Sequence, residues 1–461
     1  MSNESDLQSK PETGCKTREA SRTSGSGNPD VDMMKTFSFL REQFRRYYST
    51  AGFSSPQRLS RREWGFTFFG KNFMLRHRAF RQSKELAHFL SHRMPSSVYY
   101  STAYYRHPDA GKMKEKDWLG ADLIFDLDAD HIEGAQEMSF AEMLAQVKVE
   151  FQKLIHDFLL DDFGFAPGDV EIVFSGGRGY HIHIHRPDVL SLTSPERREI
   201  VDYITGRGLM PKDFIDQKAI AIKKPWSKYS KVQYSYQTPS INESGWKGHV
   251  AKGIVKLLTK LKENREWAFN FLISIDGIGN KNAENILEEL FDTDFKDKNF
   301  AALESNKTFQ KDMEYMVKKT HDPKMYEKDK QNNIGTLEIF SNIKLLNVFI
   351  DKVIQTETIK LVHGETDEPV TADIKRLIRM PESLHGKTGF RVMPLTLEGL
   401  DDFDPLVDAV VLPDVPTNVK VVKDIEGRLK DEKFSFHEEE VVEVPAYLAV
   451  FLAGRKAGLI V

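Results

Sequence analysis

The sequence holds a single cysteine, Cys15, in a polar N-terminal stretch. It can close no internal disulfide and build no cysteine-ligated zinc site. No apolar run approaches the roughly 18 residues that a bilayer-spanning helix needs. No basic-then-apolar leader pattern opens the chain, which reads as cytoplasmic with no membrane partner. Neither charge is in excess: 65 lysines and arginines against 69 aspartates and glutamates leave −4. That excludes wholesale cationic binding but not a local basic groove. There is no internal repeat. What is present is length and apolar residues: 461 residues, 40% hydrophobic and 29% charged, suit two or three units with proper cores.

The composition changes along the chain. Residues 1–32 are polar and Ser/Gly-rich and are expected to be disordered. Order is expected from Met33, where a helical pattern begins (MMKTFSFLREQFRRYY). RLSRREWGFTFFGKNFMLRHRAFRQSK, residues 58–84, sets Arg58, Arg61, Arg62, Lys71, Arg76, Arg78, Arg81 and Lys84 against one acid, Glu63. Its alternation predicts two strands around a Gly-Lys-Asn turn at 70–72. Basic and aromatic residues interleaved in this way fit nucleic-acid or phosphate contact; a solvated sheet face is the plainer alternative. ADLIFDLDADH (121–131) reads as a buried strand and residues 139–161 as an acidic amphipathic helix. EIVFSGGRGYHIHIH reads as strand, glycine turn, strand. LTSPERREIVDYI starts a helix with Ser194 as N-cap and Pro195 in first position. Lysines and aromatics mix over 206–236. Residues 239–350 are rich in lysine and glutamate, with no convincing strand, and read as a helical insertion. Strand-like chemistry resumes near Ile359, and the C-terminal segment reads as a strand followed by a packed helix. The chain thus divides into a tail (1–32), a mixed α/β region (33–238), the insertion (239–350) and a second mixed region (351–461).

Asp126 and Asp128 stand two apart on the predicted strand, so both side chains leave by one face. Paired carboxylates repel each other, and a divalent cation removes that repulsion; oxygen-only ligation favours Mg²⁺ or Mn²⁺. Asp130 shares the parity but falls at the strand end. A solvated Asp-rich strand end is the alternative. A third carboxylate could come from TDEPVTADIKRLIRMPESLHGKTGF (366–390), where Asp367, Glu368 and Asp373 precede Lys375, Arg376, Arg379, His385 and Lys387. Carboxylates beside cations suit metals beside a polyphosphate. In SGGRGYHIHIH (175–185), glycines let backbone N–H groups approach a phosphate, and Arg178 adds a fork of donors. His181, His183 and His185 share a face. Three histidines can ligate zinc, though hydrogen-bonded strand histidines are commoner.

Taken in order, FDLDADH, SGGRGYHIHI and DEPVTADIKRLIRMPESLHGKTG resemble the motif set of the archaeal and eukaryotic DNA primase small (catalytic) subunit. The flanking REWGF, MLR, KMKEKDWLGADLIFD and VEVPAYLAVFLAGR agree. The resemblance covers residues 35–240 and 355–455, and the helical middle matches only in kind. It implies an α/β (α+β mixed) catalytic core with a mixed sheet, interrupted by an all-helical domain. It implies template-directed nucleotidyl transfer with two metals on Asp126, Asp128 and a later aspartate. We assign that one to Asp367, eighteen residues before the motif histidine His385, with Asp373 next. It implies triphosphate contacts from Ser175, Arg178, His181, His385 and Lys387, helped by Arg379 and Arg76. His183 and His185 receive no role and are read as structural. The implied partners are a large regulatory subunit as heterodimer, a single-stranded DNA template, and ribo- and deoxynucleoside triphosphates. Residues 131–174 lack the cysteines of the zinc knob that many archaeal members carry, so no structural zinc is expected.

ISIDGIGNKNAENILEEL (273–290) resembles a helix-hairpin-helix element. Gly277 and Gly279 would form the turn and, with Lys281, meet a DNA phosphate; an ordinary helical hairpin is the alternative. Three other functions compete with the replicative primase: a primase-polymerase of repair, a metal-dependent nuclease using the aspartates and histidines, and a non-catalytic DNA-binding subunit.

Overall fold

The computed structural model describes residues 29–131, 134, 137–222, 231–292, 335–336, 343–430 and 432–461. The expected tail, up to residue 28, and much of the expected insertion lie outside the described residues. The chain forms two compact units. One comprises residues up to Lys148, Glu171–Leu192 and Asp373–Val461; the other comprises Val149–Val170 and Thr193–Ala372. Among the described residues no helix is long and apolar enough to cross a membrane.

The first unit opens with helix Pro29–Thr50, four residues ahead of the expected start at Met33. Proline suits a first helical position, where its missing N–H costs nothing. Two four-stranded antiparallel sheets follow from the alternation read above. In the first, the strand order is Leu377–Arg379, Ser97–Ser101, Trp64–Thr67, Leu75–Arg78. Trp64, Tyr100 and Ile378 pair across it in one buried row; Gly65, Tyr99 and Arg379 form the next row, on the opposite face. The hairpin expected near Gly70 is present, closed by Lys71 N–H donating to Phe68 O at 3.1 Å. The second sheet runs Met393–Leu395, Val170–Phe174, Gly179–Ile184, Leu123–Asp128. A three-stranded sheet (Val441–Pro445, Pro416–Val421, Gly458–Ile460) and the buried helix Ala446–Gly454 complete the C-terminal part.

The second unit is mostly helical. A buried carboxylate, Asp162, joins three of its segments: it accepts from His249 Nε2 at 2.7 Å, Tyr203 OH at 3.0 Å and Gly245 N–H at 3.1 Å. Asp162 ends a π-helical stretch, Leu154–Asp162, that continues helix Phe140–Lys153. Strands Asp216–Ile222 and Lys231–Thr238 pair antiparallel, and Gly335–Thr336 adds a short third strand within the stretch read as all helix.

Two further readings need correction. The residues near Ile359 form helix Gln355–Val362, not a strand. Their β-branched content is overridden by tertiary packing: Thr358 and Val362, one turn apart, bury against Gly253, where a Cβ would fall 2.6 Å from Thr358 Cγ2. The helix Ser194–Thr205 is capped by Thr193, one residue earlier than expected, because Glu196 accepts from both the N–H and the hydroxyl of Thr193.

Gly179 is where the second sheet tolerates no side chain. A Cβ there would fall 2.2 Å from Leu127 O on the neighbouring strand. Gly179→Ala should lower the melting temperature by several degrees, as a loss of about 2 to 3 kcal/mol would; an unchanged melting curve would show that the strands are not packed this closely.

Candidate active site

The strand Leu123–Asp128 carries the aspartates, and Gly179–Ile184 carries the histidines. Their register sets Asp126 opposite His181, Ile124 opposite His183 and Asp128 opposite Gly179. Directly opposed residues share a face, so the carboxylates and imidazoles form one file. Phe125, Leu127, Tyr180 and Ile182 point to the other side and are buried.

One end of the file is a buried ion network that includes Asp122, a residue the sequence reading passed over. Asp122 is fully buried and accepts from Arg62 at 2.7 Å and Tyr104 OH at 2.7 Å; His185 Nδ1 stands 3.0 Å from it. His185 Nε2 reaches Glu171 at 2.8 Å. Burial works against the charge of His185, but hydrogen bonds to Asp122 and Glu171 outweigh it and raise its pKa to about 9. Burial likewise opposes the charge of Asp122, while His185, Arg62 and Tyr104 hold it down to about 2. Arg62 is therefore no part of a basic surface. Its guanidinium also donates to Gln57 O at 2.8 Å and Ser101 O at 2.7 Å. The other cations of 58–84 are exposed, although Arg76 is bound through two nitrogens to the buried Glu63, at 3.1 and 3.2 Å.

The middle of the file is neutral. Burial, with cationic His185 nearby, lowers His183 to about 4, and Tyr100 OH meets its Nδ1 at 3.2 Å. Burial also pushes His181 well below the ordinary imidazole range. The three rings stand 6.1 and 6.0 Å apart, centre to centre, strung along the face rather than converging.

The open end holds Asp126, Asp128 and Arg178. His181 Nε2 lies 3.4 Å from Asp126 Oδ1. Arg178 bonds Asp130 at 2.6 Å and lies 3.5 Å from Asp128 Oδ1. That oxygen is shielded from solvent yet makes no hydrogen bond, as an oxygen set aside for a cation would. Among the described residues no cluster of three or more potential ligands is assembled. The pair thus offers hard oxygen ligands that fit Mg²⁺ or Mn²⁺.

The glycine loop is tied from two sides. Ser175 Oγ accepts from the N–H groups of Gly177 and Gly179 at 3.2 and 3.3 Å. Two loop donors thus turn inward, and the sequence reading had not foreseen this. Gly176 adopts φ 74°. Thr388 Oγ1 donates to Gly176 O at 2.6 Å, locking the loop onto the turn of His385 and Lys387. His385 is buried against Gly176 and Gly177. Burial, then Arg379, Lys387 and Arg178, drive its pKa well below the ordinary value. It is a neutral ring at pH 7, so the positive charge here comes from Arg178, Arg379 and Lys387. Arg379 lies over the ring of Tyr99 at 5.1 Å.

The first unit therefore brings together Asp126, Asp128, Ser175, Arg178, His181, Arg379, His385 and Lys387. Two strands lie between the strand of Arg76 and that of Arg379 in the first sheet, at opposite edges of it. Asp373 accepts from Lys375 N–H at 2.9 Å. Asp367 belongs to the second unit, where its carbonyl starts helix Glu368–Ala372. Gly277, Gly279 and Lys281 also belong there. Helices Arg265–Ser274 and Asn280–Asp292 flank their turn, Gly277 has φ 84°, and Ile275, Ile278, Ala283 and Ile286 are buried.

Comparison with known proteins points the same way. The family model described as DNA primase small subunit matches residues 125–397. The chain is 41% identical to the DNA primase small subunit PriS of Methanothrix thermoacetophila, over 91% of this chain and 98% of that one. It is 40% identical to PriS of Methanocella arvoryzae, with the same coverage, and 40% identical to PriS of Methanococcoides burtonii, over 92% and 98%.

The buried network gives a pH signature. His185 stays charged in the folded protein to about pH 9, against an ordinary value of 6.5. Its share of stability is complete below pH 6.5 and is lost as pH rises through about 9. That share is on the order of 3 kcal/mol. The melting temperature of His185→Gln should be lower than that of the wild type at pH 6, and the gap should narrow towards pH 9. A constant gap over that window would contradict the assignment.

Proposed function

This chain belongs to the DNA primase small-subunit family, and on that footing we propose that it is the catalytic subunit of a DNA primase. It joins nucleoside triphosphates, ribo- and deoxyribonucleotides alike, into short strands on single-stranded DNA. The 3′-oxygen of the growing strand bonds to the α-phosphorus, the bond to the bridging oxygen breaks, and pyrophosphate leaves. The observation that carries this reading is that Asp126 faces His181 across two paired strands while Asp128, at the end of the same file, meets Arg178 of the glycine loop.

Each residue has a part. Asp126 and Asp128, with Asp367 taken as the later aspartate for its spacing of eighteen residues before His385 and Asp373 as the next choice, would hold two divalent ions, Mg²⁺ or Mn²⁺, whose chemistry when bound is activation of the hydroxyl and neutralisation of the leaving group. Arg178, Arg379 and Lys387 offset the charge of the triphosphate. Neutral His385 and the Ser175 hydroxyl act as hydrogen-bond donors to it, and His181 orients Asp126. Positioning then supplies most of the remaining rate. The exposed cations Arg58, Arg61, Lys71, Arg78, Arg81 and Lys84 suit the template backbone. The hairpin of Gly277, Gly279 and Lys281 suits a duplex backbone, and Arg76 completes the nucleotide contacts. A large regulatory subunit is the partner that the name "small subunit" implies.

The test is incorporation of labelled ATP and dATP on single-stranded DNA, with and without a large subunit. The wild type should make oligonucleotides and release pyrophosphate. Asp128→Asn and Asp367→Asn should each cut the rate by at least about 10²-fold with unchanged melting. Retained polymerisation in an Asp126→Ala/Asp128→Ala variant would overturn the reading, and so would DNA degradation that needs no nucleoside triphosphate.

A further inference from the structure

The matched family model stops at residue 397, yet the C-terminal helix reaches the same loops. Helix Ala446–Gly454 is apolar throughout and buried, and it ends against the turn that carries His385 and Lys387. A Cβ on Gly454 would fall 2.6 Å from Lys387 O and 3.1 Å from Gly386 O. The next residue is Arg455. Its guanidinium lies 4.6 Å from the ring centre of Phe140 and 5.1 Å from that of Phe451. Phe451 in turn stacks on Phe390 at 5.7 Å, and Phe390 O accepts from His385 N–H at 2.8 Å. The arginine is thus set in place by the turn it adjoins.

Its surroundings lack an anion. Among the described residues, no carboxylate lies within ion-pairing distance of Arg455, whereas Arg178 has Asp128 and Asp130. Burial and the nearby Arg178 guanidinium both disfavour its charge. A half-buried cation held on aromatic rings beside other cations is unfavourable until a polyanion arrives. Arg178, Arg379 and Lys387 gather around His385, and Arg455 comes close enough to Arg178 to feel its charge; among the described residues only Arg178 of these four has carboxylates to answer it.

We propose that Arg455 is a fourth cation of the nucleotide site and binds the non-transferred phosphates of the incoming nucleoside triphosphate, then the departing pyrophosphate. This rests on the nucleotide-site reading above. The transferred phosphate belongs at Asp126 and Asp128; Arg455 adjoins Lys387, so it grips the tail. Being planar and forked, it can bind two phosphate oxygens through two parallel N–H groups, where a lysine offers a single point charge.

The test is calorimetric binding of ATP, ADP and AMP with Mg²⁺ to wild type, Arg455→Met, Arg455→Lys and Lys387→Ala. Methionine keeps an apolar stem on the two phenyl rings, so the fold should survive, and melting curves would check it. Arg455→Met should weaken ATP about tenfold, ADP less and AMP hardly at all, with lysine recovering part of the loss. In turnover, KM for ATP should rise about tenfold while kcat changes less. Equal losses for ATP, ADP and AMP, or none, would overturn the proposal. So would a loss seen only for a single-stranded oligonucleotide, which would make the bound phosphate the template's. If Lys387→Ala also leaves ATP binding untouched, the nucleotide-site reading itself fails; if Lys387→Ala weakens ATP and Arg455→Met does not, only the role of Arg455 falls.

Discussion

Asp122 is a carboxylate with no exposure, and the geometry of the active face depends on how its charge is answered. Arg62 comes to it from beside the first sheet, Tyr104 from the short strand Ala103–Tyr105, and His185 from the end of the histidine strand. Removing one partner from such a network leaves a buried charge uncompensated, at a cost of about 3 to 5 kcal/mol. That cost also disfavours slippage. A shift of one residue between the aspartate and histidine strands would part Asp122 from His185 and turn Asp126 and Asp128 into the core.

From this anchor the face changes character in steps of two residues. Asp122 and His185 form a buried ion pair. Ile124 and the neutral His183 come next, then Asp126 with the neutral His181, then Asp128 beside Gly179 and Arg178. Charge is thus confined to the two ends. Neutral imidazoles in the middle fill space and hold Asp126 without adding a cation that would compete for its oxygens. Gly179, which admits no Cβ, lets the loop start level with Asp128 and places Arg178 over the aspartates.

Much of this was legible in the sequence. Period two put Asp126 and Asp128 on one face, the glycines marked the loop, and alternation marked the hairpin around Gly70. Other features were not legible because they depend on partners distant in the chain. Composition counts Arg62 as a surface cation, but only the fold shows that its acceptors sit at residues 57, 101, 104 and 122. Asp122 did leave a signal, since it has the parity of Asp126 and Asp128 in ADLIFDLD. The sequence sets His385 among the cations of residues 366–390; burial, invisible in a motif, makes it neutral. The inward turn of the Gly177 and Gly179 N–H groups needed the position of Ser175 Oγ. Thr358 and Val362 looked strand-like because their helical packing partner, Gly253, lies a hundred residues earlier.

The central claim is that the two strands and the glycine loop form one site for a divalent ion and a triphosphate. Its most direct test is a Mn²⁺ titration followed by electron paramagnetic resonance, with and without ATP, on wild type and on Asp126→Asn/Asp128→Asn. In the wild type, ATP should strengthen Mn²⁺ binding to the protein. The variant should lose that strengthening yet retain weak ATP binding through Arg178, Arg379 and Lys387. If the variant takes up Mn²⁺ with ATP as tightly as the wild type, the carboxylate pair is not the metal's seat and the account fails.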